Sequence, residues 1–192
     1  MTAATSDDGL RALAARALGD VRAVLERLPD DAFDPALDAL ARAARVVCYG
    51  VGREGLMVRA LAMRLYHLGL DAHVVGDMAA PPVGAGDLLI ASAGPGGFAT
   101  VDALLRVARD AGARTLLFTA QPGGSAAALA DVVCVLPAQT MADDRRASAS
   151  LLPMGSVYEG AQFFAYELLV LKLRERLAVT PDAMRARHTN LE

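Results

Sequence analysis

From Arg45 to Gly55 a β-branched apolar run, Val46-Val47-Cys48-Tyr49, enters the glycine turn Gly50-Val51-Gly52, and a long amphipathic helix leaves it. A strand that is apolar at every position, rather than at alternate ones, is covered on both faces, which is the pattern of a parallel sheet. Four more such runs follow, so strands are expected over 46–49, 72–75, 87–92, 114–119 and 131–136. Helices are expected between them over 54–68, 100–111 and, briefly, 125–130, the first two stopped by Gly69 and Gly112. A βαβ series of this kind predicts an α/β fold: a five-stranded parallel, doubly wound sheet with right-handed crossovers, flanked by helices in a three-layer sandwich.

Ser6-Asp7-Asp8 reads as a helix N-cap with acids in the first turn. The stripe Leu10, Leu13, Ala17, Val21, Val24, Leu25, Leu28 then runs at helical spacing up to Pro29, and a second short helix is expected over 35–44. Residues 139–152 are polar, charged and poor in helix signals, a loop long enough to be functional. The last helix, expected over 156–177, carries Phe163, Phe164, Leu168, Leu169, Leu171 and Leu173 around more than one face. Such a helix is buried in a core or against another subunit. A subunit interface is the expectation, since five strands leave little room for it.

With 192 residues the chain fits one domain, organised as N-terminal helices (6–44), an α/β core (45–137), a loop (138–155) and a C-terminal helix with its tail (156–192). A net charge of −3, with Lys172 the only lysine, argues against a nucleic-acid partner. Cys48 and Cys134 fall inside strands and read as small buried hydrophobes, without disulfide or metal-ligand spacing. No secretory leader is expected at the start. The uncharged stretch 88–101 is broken by Gly and Pro and does not read as a membrane span. A soluble, cytoplasmic protein is the expectation.

Ligands of doubly wound sheets bind at the carboxyl ends of the strands, where the turns 50–55, 92–98 and 119–124 should gather. Gly50-x-Gly52-x-x-Gly55, with Asp77 after the second strand, matches the dinucleotide fingerprint. No hydride-transfer constellation accompanies it, so an NAD-dependent oxidoreductase is the weakest alternative. The second turn, Ser92-Ala93-Gly94-Pro95-Gly96-Gly97-Phe98-Ala99-Thr100, leads into another helix. Two such turns side by side offer backbone N–H groups to something small and anionic. Glu159, early in the apolar last helix, is a candidate general base whose pKa burial would raise; the competing reading is a first-turn acid on the helix dipole. His67 and His73 read as structural, and His188 as a tail residue.

Taken together, these residues resemble the SIS (sugar isomerase) domain family, specifically its 6-phospho-3-hexuloisomerase branch. The likeness runs through Gly52-Arg53-x-Gly55-Leu56, Ala62-Met63-Arg64-Leu65-x-His67-Leu68-Gly69, Gly86-Asp87-Leu88-Leu89-Ile90-Ala91, Leu129-Ala130-Asp131-Val132, Pro153-x-Gly155-Ser156-x-x-Glu159 and the closing Arg187-His188-x-Asn190-Leu191-Glu192. The resemblance implies an SIS-type, flavodoxin- or Rossmann-like sandwich. It also implies an enediol isomerase of a sugar or sugar phosphate that works as a homotetramer or homodimer, with neither metal nor organic cofactor. Carried over by position, Glu159 is the base. His188 opens the ring or relays a proton, in its own or a neighbouring subunit. Substrate-binding residues are Gly52, Arg53, Glu54, Ser92, Gly94, Gly96, Gly97, Thr100 and Ser156.

The chain departs from that pattern in one place. Glu54 stands where the family has a serine, and residues 93–98 replace a Ser-Gly-Ser-Gly-Glu-Thr turn, removing hydroxyls expected to hold phosphate; Phe98 adds an apolar wall. Glu54 is therefore expected to fill part of the phosphate subsite, by satisfying the same N–H groups or by pairing with Arg53. An ordinary solvated first-turn acid is the alternative. A non-catalytic sugar-binding or regulatory protein remains the second reading of function.

Overall fold

The computed structural model describes residues 9–144 and 150–191. Five parallel strands, β1 (Val46–Gly50), β2 (Ala72–Val74), β3 (Leu88–Ser92), β4 (Arg114–Thr119) and β5 (Val132–Val135), lie in the order β2-β1-β3-β4-β5. Between them run α3 (Gly52–His67), after β1, and α4 (Ala99–Asp110), after β3, while α1 (Leu10–Leu25) and α2 (Asp34–Arg42) precede the sheet. The chain continues into α5 (Ser156–Arg176) and α6 (Pro181–Arg185), the latter a short helix absent from the sequence expectation. The proposed N-cap Ser6-Asp7-Asp8 lies outside the described residues; α1 is preceded by Gly9, which makes no side-chain cap.

Alternate strand residues feed opposite layers, as period-2 side-chain geometry requires. Cys48, Ile90, Leu116, Phe118 and Cys134 join the core under α2, α3 and α5, whereas Val47, Leu89, Ala91 and Leu117 join the core under α4. Both cysteines are buried free thiols, and burial pushes each up to about 12. Residues 125–130 shorten to a single 3-10 turn, Ala127–Leu129. Asp131 stops the helix there: its carboxylate accepts from Thr115 N (2.8 Å) and Thr115 Oγ1 (2.9 Å), drawing the chain into the sheet beside β4.

The last helix is chiefly a core element of this chain, which corrects the expectation that a single domain leaves little room for it. Val157, Tyr158, Ala161, Ala165, Tyr166, Leu169, Val170 and Leu173 are buried in the core of this same chain. The room comes from α1, α2 and α3, which build that layer together with α5. One strip stays open: Phe163, Phe164, Leu168 and Leu171 are 42–48% exposed. The α1 stripe is best covered toward its C-terminal end, with Val21 and Val24 buried and Leu10 exposed. Among the described residues no helix is long and apolar enough to cross a membrane.

The Gly50-x-Gly52-x-x-Gly55 motif is explained by packing. A Cβ on Gly55 would lie 2.4 Å from the Gly50 carbonyl oxygen, so α3 crosses β1 backbone against backbone. Gly52, by contrast, meets nothing but has φ +57°, a left-handed conformation that turns strand into helix. Asp77, the would-be ribose acid, pairs instead with Arg59 at 3.4 Å.

Candidate active site

The helices after β1 and β3 lie on opposite faces, so the crevice between these two strands is the switch point where doubly wound sheets bind ligands. Register fixes what meets there. Gly50 pairs with Ser92 at the strand ends, and the turns that follow stand side by side. Glu54, in the first turn of α3, faces across this crevice. Its Oε2 accepts from Ser92 Oγ (2.5 Å) and from Gly94 N (2.9 Å), and the residue is 8% exposed. Burial raises its pKa, opposed by those two hydrogen bonds, and the Glu159 charge raises it further. The solvated first-turn reading is thus excluded. So is satisfaction of the α3 N–H groups, since the donors Glu54 takes belong to the neighbouring turn.

Nor does Glu54 pair with Arg53. Arg53 Nε lies 2.9 Å from Glu159 Oε2, and its Nη1 donates to Ser156 Oγ at 3.0 Å. Glu159 sits in the first turn of α5, its side chain only 13% exposed. Burial raises its pKa while Arg53 lowers it. A shielded carboxylate poised above its ordinary range, with a guanidinium beside it, has the attributes of a general base. Replacing Arg53 with Gln removes the lowering influence on Glu159. The acid limb of a pH–kcat/KM profile should therefore move to higher pH, and an unmoved limb would show that Arg53 does not tune the base.

Behind Glu54 runs a buried polar chain. Gln162 Nε2 donates to Ser92 Oγ (2.7 Å) and to Tyr166 Oη (2.7 Å), while Tyr158 Oη lies 3.3 Å from Ser92 Oγ. Burial, reinforced by the Glu54 charge, holds the Tyr158 phenol well above its usual range and hence neutral. Gly94 is confined by this group, since a Cβ there would lie 2.9 Å from the Tyr158 ring and 3.0 Å from Glu54 Oε1. Gly96 and Gly97 serve the next turn: a Cβ on Gly124 would meet Gly96 O at 2.1 Å, and one on Gly97 would meet Ser125 Oγ at 2.2 Å. The three turns gather as expected.

Gly52, Arg53, Glu54, Ser92, Gly94, Ser156 and Glu159 therefore converge on the crevice, with Gly96 and Gly97 at its edge. Thr100 is exposed in the first turn of α4. His188 stands apart. It stacks on His67, ring centroids 5.4 Å apart, beside a separate cavity of about 470 Å³ bounded by Met63, Tyr66 and Arg187. That is the far end of α3, about 20 Å from Glu54 at 1.5 Å rise per residue. His73 pairs with Asp71 at 2.7 Å.

Glu54 and Glu159 share a cavity of only about 20 Å³ with Thr140, Met141, Met154 and Tyr158. That is room for a single water, so a sugar must rest on its rim. None of those four lining residues was expected from sequence. Tyr158, Gln162 and Tyr166 did leave a signal, a polar row at i, i+4, i+8 on an otherwise apolar helix.

The SIS domain model matches residues 39–172. A 3-hexulose-6-phosphate isomerase of Mycobacterium gastri is 37% identical over 153 residues, covering 80% of this chain and 76% of that protein. One from Bacillus subtilis is 29% identical over 165 residues, covering 86% and 89%. Among solved structures, a Methanococcus jannaschii protein, whose structure was described as inferring 3-hexulose-6-phosphate isomerase function, superposes with a TM-score of 0.81. It is 24% identical, with 93% of this chain and 98% of that one covered. An Escherichia coli protein, solved as a ligand complex, gives a TM-score of 0.76 at 23% identity, covering 92% and 94%. Sheet order, the convergence of the first two turns with the start of α5, and the extent of the matched sequence agree: the chain belongs to the SIS domain family.

Proposed function

We propose that this protein is an isomerase of a sugar or sugar phosphate, interconverting aldose and ketose or two ketoses through an enediol. The observation that carries this is Glu159, a shielded carboxylate with raised pKa held by Arg53 at the switch point of an SIS chain. Glu159 takes the proton from the carbon next to the carbonyl, leaving an enediolate. The guanidinium of Arg53, fixed by Glu159 and Ser156, is the cation available to the developing oxyanion. A proton passes from the neighbouring hydroxyl to that oxyanion, and the protonated Glu159 then delivers its proton to the former carbonyl carbon, so atoms and charge balance without an outside oxidant.

The active unit is a homodimer or homotetramer. A notch of about 20 Å³ does not enclose a sugar, so a second copy supplies the missing wall, with its His188 serving ring opening or proton relay. Support comes from the open strip Phe163, Phe164, Leu168, Leu171 on α5 and from the apolar groove of about 410 Å³ that Phe164 shares with Leu18 of α1. Contiguous apolar surface of this kind marks an interface. Sedimentation should give a dimer or tetramer, and Phe164→Glu with Leu168→Glu should give monomers; a wild-type monomer at micromolar concentration would overturn the assembly.

The test of activity is incubation in D₂O with a panel of ketohexoses, aldohexoses and their 6-phosphates, followed by proton NMR. Isomer formation with deuterium at the former carbonyl carbon, the one that receives the proton, is the expected result. Binding without exchange would instead identify a non-catalytic sugar-binding SIS protein.

A further inference from the structure

Two glycine turns ahead of two helices are an anion-binding device, because they aim unpaired N–H groups at one point. In this chain the second turn is partly occupied by a carboxylate of the protein itself. Ser92 has one hydroxyl proton, and Glu54 Oε2 takes it at 2.5 Å; the same oxygen takes Gly94 N–H at 2.9 Å. Gln162 donates into Ser92 Oγ from behind, which fixes the direction in which Ser92 donates. A second carboxylate, Asp102, stands in the first turn of α4, and its buried Oδ1 accepts no hydrogen bond among the described residues. It lies behind the turn, 3.4 Å from where a Gly97 Cβ would be. An incoming phosphate would meet the Glu54 carboxylate and two spent donors.

Glu54 Oε1, in contrast, accepts no hydrogen bond among the described residues, and Glu54 borders the notch next to Glu159. A free acceptor oxygen at the mouth of an isomerase site suits a sugar hydroxyl, which donates one hydrogen bond and brings no charge. We infer that Glu54 is the specificity-determining residue of this site, standing in for a phosphate and selecting a sugar whose end at the second turn carries a hydroxyl. Resting on the isomerase reading above, this narrows its substrate class to sugars unphosphorylated at that end.

Matched pairs, a free ketohexose and its 6-phosphate, supply the test with the full-length chain, Glu54→Ser and Glu54→Gln. The unmodified protein should exchange the carbon-bound proton of the free sugar with a higher kcat/KM than that of the phosphate. Glu54→Ser releases Ser92 O–H and Gly94 N–H together and should shift that ratio toward the phosphate by about 10-fold or more, since a like charge at contact distance is removed. Glu54→Gln keeps the shape, removes the charge and should shift the ratio the same way, which covers the case in which the serine variant fails to fold. Calorimetry with inorganic phosphate reads the subsite without catalysis: affinity should rise in both variants. If no sugar is turned over but phosphate affinity rises, the isomerase reading fails and the role of Glu54 stands. An unchanged phosphate affinity in both folded variants, or an unchanged substrate ratio, overturns it.

Discussion

Glu159→Gln should lower isomerase turnover by about 100-fold or more, the scale of a lost general base, while leaving the fold intact. The amide keeps the size and planarity of the carboxylate. What it loses is basicity and the ion pair with Arg53, and that arginine is 62% exposed, so the pair adds little stability. Turnover and thermal unfolding should therefore separate: a large loss in the first, a shift of a few degrees at most in the second. Turnover within a factor of two of the unmodified protein would remove Glu159 from the mechanism. A parallel collapse of thermal stability would mean that the side chain holds the fold instead.

Gly55→Ala should be among the most damaging single-methyl additions in this chain. The added carbon would sit 2.4 Å from Gly50 O and 2.9 Å from Gly50 C, both backbone atoms at the end of a central strand. No side chain can swing away, so α3 must lift from β1 and carry Val58 and Leu61 partly out of the core. Overpacking of this kind costs about 1–3 kcal/mol and occasionally more; a backbone-to-backbone clash belongs at the upper end. Gly52→Ala is the internal comparison, because its Cβ meets nothing and the penalty is the left-handed backbone alone, about 1–2 kcal/mol. Urea midpoints at unchanged m-value measure both. Equal losses at the two positions would show that conformation, and not contact, is what the motif protects.

Strands and helices could be read along the chain because a strand covered on both faces is apolar at every position, and Gly69 and Gly112 stop their helices locally. Partnership across the sheet could not. That Glu54 meets Ser92 and Gly94 depends on the Gly50–Ser92 register, which no local spacing encodes. The same holds for Arg53, whose partner Glu159 is more than one hundred residues away and is brought near by the packing of α5 against α3. Apolarity told that α5 is covered but not by what; the covering turned out to be shared between the core of this chain and an open strip. Asp102 gave no signal, since an acid in a first helical turn is ordinary until its surroundings are known.

The single proton of Ser92 makes positions 54 and 92 one heritable unit. While a carboxylate stands at 54, the hydroxyl at 92 is spent inside the protein, and Ser92→Ala would remove a donor from Glu54 and leave that acid buried with only Gly94 to answer it. Once the carboxylate is gone, the same hydroxyl is free to face a ligand, and its loss costs affinity as well as the buried hydrogen bond from Gln162. The effect of a change at 92 thus alters in kind with the residue at 54, the signature of two sites whose contributions do not add. A lineage crossing between charged and uncharged substrates would have to make the change at 54 first, because only then does variation at 92 become visible to selection on catalysis.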